Sequence, residues 1–522
     1  MNCKKEATSK FLFSARIRRG RSLLTAIILF FVYSTSFGQS NPYSGKFIRV
    51  DDYIDSLMKE WKVPGLALAI VYKDQLIYGR GYGYRDLEKK LPVETTTLFP
   101  IASNTKLITS TVATMLQEEG KLNIDIPVKK YHPALNFYSD ELNAKITLRD
   151  LLSHRTGLPG YNSIWINAPY SRDELVSKIA FMKPTLGFRD GYIYNNMMYV
   201  TAGSVLEKIT AKKWEDLVRE KIFTPLGMNA SCFTIEEMKK YGNYSLAYFE
   251  DDSTKQLKLK QFVALPDALG PAGTIKSTVE DMSRWMIVQL NSGKIAGQQV
   301  VPANAINQTL LPNSIADREG RWPELSNGLY GLGRIIQTYK GLKITNHTGS
   351  IDGYYSNLTF VPEKELAVFI VYNAVEAGSL RTIINLPVID RLLDLSPTPW
   401  ISRYKTDYLR DKARNKQLED SVKATQVKNT KPSHDLQAYA GSYIHPAYGE
   451  IKIQIRNNQL VFILRSQQSL LYHFHYDQFI TKEDKTDTPN FRLSFLVNSS
   501  GKIDRIATQP YGDAMAEFVK KL

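Results

Sequence analysis

Apolar residues recur at two different periods along this chain of 522 residues, and the period changes at turn-forming positions. Residues 47–61 carry apolar side chains at helical spacing, whereas 65–72 and 76–84 are short apolar runs separated by three polar residues. The first pattern predicts a helix, and the second predicts an antiparallel hairpin. A second helix is predicted between Lys106 and Gly120, because apolar residues again follow helical spacing and the glycine ends the run.

The middle of the chain predicts helices, and the stretch after it predicts strands. Helical spacing covers residues 171–182, 197–210, 214–222 and 278–291. Strand-like runs cover 329–338, 355–361 and 366–372, and one more helix is predicted at 380–395. Strands at both ends with helices between them predict one antiparallel sheet that is completed by the two chain ends, with an all-helical part inserted.

A second domain is predicted at the C-terminus. Residues 396–433 are polar and charged, contain Pro397 and Pro399, and include a helix-like piece rich in Lys and Arg. This composition is typical of a linker. From 434 to 522 the chain forms short alternating runs without long helices, which predicts a small all-β domain.

Residues 1–38 have the composition of a secretory signal peptide. Seven basic residues precede an apolar run at 23–32, and small residues follow at Ser36 and Gly38. The alternative is a retained membrane anchor, but the run is shorter than the ~20 residues that a spanning helix needs. We expect an exported protein, periplasmic or extracellular, that contacts a membrane only through this segment.

Charge and cysteine content narrow the possible partners. The formal net charge is +15, and because seven basic residues and one acid lie within residues 1–38, the remainder carries about +9 without a basic block. This distribution argues against a nucleic-acid partner. Cys232 is the only cysteine after residue 38, so the processed chain can form no intrachain disulfide.

Candidate chemistry begins with Ser103 and Lys106, which would lie on one face where the second helix starts. A serine hydroxyl becomes a useful nucleophile when a neighbouring group takes its proton, and a helix N-terminus stabilises developing negative charge. The spacing alone is weak evidence, because Ser-x-x-Lys also occurs at Ser56/Lys59, Ser402/Lys405 and Ser499/Lys502.

Two later strings could complete a site. The first is Tyr194-x-Asn196, which precedes the helix predicted at 197, and the second is His347-Thr348-Gly349-Ser350, between two strand-like runs. A tyrosine can act as a general base and an asparagine amide can hold a substrate amide. A Thr-Gly-Ser edge offers backbone N–H groups to an oxyanion. Tyr-x-Asn also occurs at Tyr241/Asn243 and Tyr355/Asn357.

The ordered set Ser103-x-x-Lys106, Tyr194-x-Asn196 and His347-Thr348-Gly349 resembles the penicillin-recognising serine hydrolases. The branch it resembles contains class C β-lactamases, D-alanyl-D-alanine carboxypeptidases, D-aminopeptidases and related esterases. The intervals fit that branch, and so do the flanking strings at 150–159, 270–274 and 351–354. The C-terminal β domain resembles a small barrel-like appendage that lies behind this catalytic domain in some bacterial hydrolases.

The resemblance covers residues 45–395 and implies an α/β (α+β) fold, with an antiparallel sheet flanked by helices and a helical half over the cleft. It also implies a mechanism. Ser103 would attack a carbonyl to form an acyl-enzyme, Lys106 and Tyr194 would handle its proton, and Asn196 would bind the acyl side of the substrate. The backbone N–H groups of Ser103 and Ser350 would form the oxyanion hole. The string His347, Thr348 and Gly349 would bind the substrate from the opposite wall.

One departure from the pattern bears on the substrate. β-Lactamases of this branch carry Lys where this chain has His347, and a histidine with a pKa of ~6.5 is mostly neutral at pH 7. We therefore expect a peptidase or esterase acting on a small peptide, amide or ester. The alternatives are a β-lactamase or carboxypeptidase acting on cell-wall peptides, and a non-catalytic penicillin-binding-like sensor. The sequence leaves the oligomeric state open.

No cofactor or metal is expected. His473 and His475 would face the same side of a strand, but no Asp, Glu or Cys follows in ligand spacing. His132 and His154 are expected to be loop or core residues. The chain has neither a Gly-rich phosphate loop nor a Gly-x-Ser-x-Gly elbow, so a nucleotide enzyme and an α/β-hydrolase are not indicated.

Overall fold

The computed structural model describes residues 44–251, 253–260, 266–317, 322–375, 377–481, 491–509 and 515–521. The segment expected to be a signal peptide, residues 1–38, lies outside these ranges. Within them, no helix combines the length and the apolar character that crossing a bilayer requires.

The helices begin where polar side chains can satisfy their first backbone N–H groups. Thr147, Ser171 and Thr234 form capping boxes with an acidic residue three positions later. The helices are α1 (Ser44–Glu60), α2 (Thr105–Glu118), α3 (Asp140–Lys145), α4 (Leu148–Leu152), α5 (Arg172–Ser177), α6 (Asn196–Thr210), α7 (Trp214–Val218), α8 (Thr224–Leu226), α9 (Ile235–Tyr241), α10 (Gly270–Gly273), α11 (Val279–Leu290), α12 (Ala303–Thr309), α13 (Leu386–Leu392), α14 (Trp400–Ala424) and α15 (Leu436–Tyr439).

The strands fall into two groups, one on each side of α14. The first group is β1 (Gly65–Tyr72), β2 (Gln75–Asp86), β3 (Leu91–Pro92), β4 (Phe99–Pro100), β5 (Ala247–Glu250), β6 (Leu257–Lys260), β7 (Lys276–Ser277), β8 (Lys294–Ile295), β9 (Gln298–Gln299), β10 (Ser314–Asp317), β11 (Leu325–Tyr330), β12 (Ile335–Tyr339), β13 (Leu342–Ile351), β14 (Tyr354–Val361) and β15 (Leu366–Tyr372). The second is β16 (Gly441–His445), β17 (Gly449–Arg456), β18 (Gln459–Leu464), β19 (Gln467–His475), β20 (Gln478–Thr481), β21 (Arg492–Val497), β22 (Ile503–Thr508) and β23 (Ala516–Lys520).

The main sheet joins the two ends of the first domain. It is antiparallel, with the order β10-β11-β12-β13-β14-β15-β1-β2-β3, and β1 pairs with β15 so that Leu66 lies opposite Tyr372. The predicted fold class, an antiparallel sheet flanked by helices and completed by the chain ends, is confirmed. The central strands are buried on both faces, which explains why β1 and β15 are continuously apolar.

The two faces of β1 belong to two different cores. Ala67, Ala69 and Val71 pack in the core that contains α2, α6 and α11, whereas Leu66, Leu68 and Ile70 pack in the core that contains α1 and α13. The small residues let α11 approach the sheet closely. The helical half is thereby fixed to the sheet, and α2 at its centre is buried from Thr105 to Leu116.

Two of the predicted elements are interrupted in the structure at a glycine or a proline. The single strand predicted at 329–338 is two strands, β11 and β12, because the chain turns at Gly333, whose φ of +76° suits glycine. The helix predicted at 380–395 is a 3₁₀ turn at Gly378–Thr382 followed by α13. Pro387 explains the break, since proline is favoured in the first turn of a helix and disrupts its interior.

The segment expected to be a linker contains the 25-residue helix α14. Trp400 and Tyr404 at its start are buried in the core beside Trp61 of the first domain. The C-terminal domain is a closed barrel of eight antiparallel strands, β16 to β23 in chain order, which β23 closes onto β16. The predicted all-β, barrel-like domain is confirmed.

Candidate active site

Ser103 lies at the junction between the sheet and the helical half. It belongs to the 3₁₀ turn Ala102–Asn104 that leads directly into α2. The Ser356 hydroxyl on β14 donates to the Ile101 carbonyl and accepts from Asn104 Nδ2, each at 2.8 Å. Ala102 has a φ of +48°, a strained value for alanine. The fold therefore holds the serine in a fixed, partly exposed turn.

Lys106 is buried behind Ser103. Its Nζ lies 3.1 Å from Ser103 Oγ and donates to two further oxygens, Asn196 Oδ1 at 2.8 Å and the Ala272 carbonyl at 2.6 Å. Burial lowers the pKa of Lys106 well below its ordinary value. A lowered pKa makes the neutral amine easier to form, and a neutral amine beside a serine hydroxyl can accept its proton.

Tyr194 contacts Ser103 from the other side. Its hydroxyl donates to Ser103 Oγ at 2.8 Å, and its ring lies 4.9 Å from Lys106 Nζ. Desolvation raises the pKa of Tyr194 above its ordinary value, although the hydrogen bond with Ser103 and, more weakly, the positive charge of Arg381 oppose that shift. Ser103, Lys106, Tyr194 and Asn196, which the sequence proposed together, thus form one cluster in the structure.

The loop that carries Tyr194 and Asn196 is held by the residue between them. The Asn195 backbone N–H donates to His154 Nδ1 at 3.1 Å, and its side-chain amide donates to the Pro159 carbonyl at 2.7 Å. Its Oδ1 accepts from the Met197 N–H and caps α6. His154 is buried, as expected, and is packed among the rings of Tyr192, Tyr194, Tyr199 and Tyr330.

An ion-pair cluster fixes the start of the same loop. Arg189 donates through Nε and Nη2 to the two carboxylate oxygens of Asp150, at 2.9 and 2.8 Å, and Arg155 Nε donates to the same residue at 2.6 Å. Burial alone would raise the pKa of Asp150, but its arginine and Thr147 contacts lower it. Arg189 thereby ties the loop to α4.

His347 is on β13, and both of its ring nitrogens have partners. Nδ1 lies 2.7 Å from the Thr348 carbonyl, which can only accept, so Nδ1 carries the proton. Nε2 is then an acceptor, and the Tyr330 hydroxyl donates to it at 3.1 Å. Burial, with a smaller contribution from the charge of Lys106, lowers the pKa of His347 to about 3.

The residues that follow His347, Thr348 to Ser350, also belong to a strand rather than a loop. The sequence placed 346–353 between two strands, but β13 continues to Ile351. The β12–β13 register ends at Asn346, and beyond it β13 pairs with β14. A side chain at Gly349 would collide with the Ile101 carbonyl, since its Cβ would lie 2.3 Å away. Glycine therefore lets β13 approach the Ser103 turn, with Thr348 partly exposed and Ser350 exposed.

Several residues around the site could not be identified from the sequence. The Ala272 carbonyl belongs to the flanking string at 270–274, but nothing in that string indicates a partner for Lys106. Tyr330 is in an ordinary apolar run, and Arg381 is in a helix-like one. Only the folded chain brings the Tyr330 hydroxyl into contact with His347 and the charge of Arg381 near Tyr194.

The alternative Ser-x-x-Lys pairs lie elsewhere. Ser56 and Lys59 are exposed on α1, and Ser499 and Lys502 are exposed near a turn of the barrel. Lys405 pairs with Glu60 on the surface, and the Ser402 hydroxyl donates to the Pro399 carbonyl. None of these pairs has a buried lysine, as the pair of Ser103 and Lys106 has.

The described part of the chain contains no group of three or more His, Cys, Asp or Glu residues arranged to hold a metal ion. His473 Nε2 lies 2.8 Å from the Tyr476 carbonyl, and His475 Nδ1 accepts from the Val427 N–H. In both contacts the histidine's partner is a backbone group.

Comparison with known proteins places this arrangement in a family. A family model described as Beta-lactamase matches residues 50–386, and a domain of unknown function (DUF3471) matches residues 425–520. The chain belongs to the beta-lactamase family. The recognition made from the three motifs is therefore confirmed, and the family match spans every residue of the cluster around Ser103.

Relatives and solved structures agree with this placement. The chain is 26% identical to the unguisins hydrolase ungD' of Aspergillus campestris over 85% of this chain and 83% of that protein. It is 24% identical to protein flp of Staphylococcus aureus, covering 62% of each. The structure of the octameric penicillin-binding protein homologue from Pyrococcus abyssi shares the fold across 91% of this chain and 100% of that one, at a TM-score of 0.59 and 21% identity. The D-amino acid amidase from Ochrobactrum anthropi covers 67% of this chain and 98% of its own, at a TM-score of 0.55 and 22% identity.

Proposed function

We propose that this protein is a serine hydrolase that cleaves an amide or ester through an acyl-enzyme on Ser103. The observation that carries the proposal is the position of Ser103 Oγ, 3.1 Å from Lys106 Nζ and 2.8 Å from the Tyr194 hydroxyl. A nucleophile within hydrogen-bonding distance of both a base and an acid is the arrangement that acyl transfer requires.

Lys106 is the better base of the two. A neutral amine has two N–H bonds and one lone pair, and the Asn196 Oδ1 and Ala272 carbonyl oxygens accept both N–H bonds. The lone pair is left for the Ser103 hydroxyl. Burial lowers the pKa of Lys106 and raises that of Tyr194, so a lysine amine forms more readily than a phenolate. The ammonium that forms is stabilised by the faces of the Tyr194 and Tyr199 rings.

Tyr194 serves as the acid. As Ser103 Oγ bonds to the substrate carbonyl, its proton moves to Lys106 Nζ, and Tyr194 gives its own proton to the leaving amine or alcohol. The ammonium then returns a proton to the phenolate. Water hydrolyses the acyl-enzyme by the reverse transfers. The backbone N–H groups of Ser103 and Ser350 are the proposed oxyanion hole, and Asn196 with the Thr348–Gly349 edge is the proposed substrate-binding surface.

The substrate class follows from His347. Its imidazole is neutral and has no N–H left to offer, because Nδ1–H is donated to the Thr348 carbonyl. A substrate carboxylate therefore gains no charge-assisted hydrogen bond here. This favours a peptidase or esterase over a β-lactamase or D-alanyl-D-alanine carboxypeptidase. The name of the relative described as an unguisins hydrolase supports hydrolysis as the reaction class.

We also propose that the protein is exported by its N-terminal segment and acts in the periplasm or outside the cell. The support is the composition of residues 1–38. N-terminal sequencing of the protein recovered from its native envelope fraction tests this. A mature chain that begins near Gln39 supports export with cleavage, whereas an intact N-terminus on cytoplasmic protein contradicts it.

The catalytic proposal is tested by intact-mass labelling with a fluorophosphonate and, separately, with a penicillin. Ser103→Ala is the test variant, and Ser56→Ala, which alters an exposed serine of the same motif, is the control. A fluorophosphonate adduct that only Ser103→Ala abolishes supports the peptidase or esterase. Adducts with both reagents on Ser103 favour β-lactam or cell-wall chemistry. If the folded protein forms no adduct with either reagent, the result would contradict catalysis and favour the non-catalytic sensor.

A further inference from the structure

The barrel contacts a loop of the first domain, residues 157–167, which we call the wall loop. This loop follows α4 and contains the 3₁₀ turn Asn162–Ile164. Its contacts with the barrel come from two neighbouring barrel turns, one between β16 and β17 and one between β18 and β19. Both ends of the wall loop are therefore fixed by hydrogen bonds, one end by the active site and the other by the barrel.

Arg465 makes the main contact from the barrel. It occupies the β18–β19 turn, where its Nη2 donates to the Ile164 carbonyl at 2.9 Å and its Nη1 donates to the Ile166 carbonyl. Nη2 also lies 3.4 Å from the Tyr448 carbonyl of the other barrel turn. An arginine can hold several carbonyls at once because its donors form a rigid, planar fork.

Apolar packing accompanies these hydrogen bonds. The rings of Tyr448 on the barrel and Tyr161 on the wall loop lie 5.7 Å apart, and both side chains are buried. Tyr161 has a φ of +44°, a conformation that only firm packing maintains in a residue with a ring. Gly449 brings the barrel turn against Tyr170, since a Cβ there would lie 2.8 Å from the Tyr170 hydroxyl.

The other end of the wall loop contacts the loop that carries Tyr194 and Asn196, which we call the catalytic loop. The Leu158 and Pro159 carbonyls accept from Asn195 Nδ2 at 3.2 and 2.7 Å. Gly160 lies against the Tyr194 backbone, so that a Cβ at this position would be 3.7 Å from the Tyr194 carbonyl oxygen. Any displacement of the wall loop is therefore transmitted to Asn195 and to the Tyr194 and Asn196 side chains on either side of it.

We propose that Arg465 and Tyr448 are positioning residues, through which the barrel fixes the wall loop and so the Tyr194 hydroxyl. The catalytic consequence rests on the proposed function, whereas the contact itself does not. A shift of about 1 Å in a catalytic group can reduce a rate by a factor on the order of 10². The reaction that suffers is the one that depends on proton donation by Tyr194, namely cleavage of an amide with a poor leaving group.

The test compares Arg465→Met with Arg456→Met. Arg456 is also on the barrel, but it donates to Gln454 and Gln468 within the barrel, so its loss is the matched control. Each variant is assayed on an anilide and on a nitrophenyl ester of the same acyl group, and hydrogen–deuterium exchange is followed across residues 157–167. We expect Arg465→Met to lower kcat on the anilide about tenfold more than on the ester and to speed exchange in the wall loop. Arg456→Met should do neither.

The ratio of the two rates separates positioning from mere loss of folded protein, which would lower both rates equally. Equal losses on both substrates, or unchanged rates with unchanged exchange, would overturn the proposal. Partial rescue by Arg465→Lys supports it. Should Arg465→Met fail to fold, Tyr448→Leu, which removes the ring contact with Tyr161, is read in the same way. If the unmodified protein shows no Ser103 adduct, the proposed function fails, and the exchange comparison still decides whether the barrel fixes the wall loop.

Discussion

The Tyr330 hydroxyl donates to His347 Nε2 at 3.1 Å, and this hydrogen bond keeps the imidazole in the tautomer that bears its proton on Nδ1. His347 is buried at the wall of the proposed cleft and close to the amine of Lys106. A second proton on this ring would have to displace the tyrosine proton in a desolvated site. The pair therefore acts as an uncharged unit at neutral pH.

Because the pKa of His347 is about 3 in the folded protein and near 6.5 when unfolded, the unfolded state binds more protons between these values. Stability must then fall as the pH drops below about 6.5. We expect the step from pH 7 to pH 5 to cost the native protein about 2 kcal/mol more than it costs His347→Gln. Urea unfolding of both proteins at the two pH values measures this. Equal losses would show that His347 is not held neutral.

Lys106→Met should slow acylation of Ser103 by about 10²–10⁴-fold, because the variant has no base beside the hydroxyl. The rate of fluorophosphonate labelling measures the change. Lys59→Met, which alters the exposed lysine of a Ser-x-x-Lys pair on α1, should label at the native rate. In the native protein, labelling should weaken as the pH falls through the lowered pKa of Lys106, since protonation removes the lone pair. A rate independent of pH would contradict Lys106 as the base.

Gly333→Ala should disturb the start of α2, because the new Cβ would lie 2.7 Å from the Lys106 carbonyl oxygen and 2.8 Å from the Leu107 backbone nitrogen. Gly341→Ala is the control, as Gly341 also has a positive φ but no atom lies within 4 Å of its Cβ position. The control should lose about 1 kcal/mol of stability from backbone strain alone. Gly333→Ala should lose more, and labelling of Ser103 should slow. Equal effects in thermal unfolding would mean that the β11–β12 turn does not support α2.

Asp150→Asn should destabilise the protein by about 3 kcal/mol, because Arg155 and Arg189 would lose the buried carboxylate that they share. Asp125→Asn breaks an ion pair with Arg149 in which the aspartate is 55% exposed, so it should cost under ~1 kcal/mol. Denaturant unfolding compares the two variants. A small loss in Asp150→Asn would indicate that the catalytic loop does not depend on this cluster.

Much of the architecture is visible in the sequence because its periods are long and clear. The helical spacing before Gly120 and the apolar runs of β1 and β15 report burial directly, and the spacing of Ser103, Tyr194 and His347 indicates the family before any fold is known. Elements that end before the apolar run containing them ends were predicted less well. The turn at Gly333 and the break at Pro387 interrupt apolar runs whose periodicity continues across them.

The sequence by itself determined the class of the fold and the residues that meet at Ser103, since local pattern and motif order carry that information. Only the tertiary structure decided the protonation equilibria of these residues and the contacts that hold them in place. Burial lowers the pKa of Lys106 and the pKa of His347, and desolvation depends on what the rest of the chain places around a group. The contacts of Arg465 with Ile164 and of Tyr448 with Tyr161 join residues about 300 positions apart. No local pattern encodes such a pairing, because the two partners approach each other only when both domains have folded.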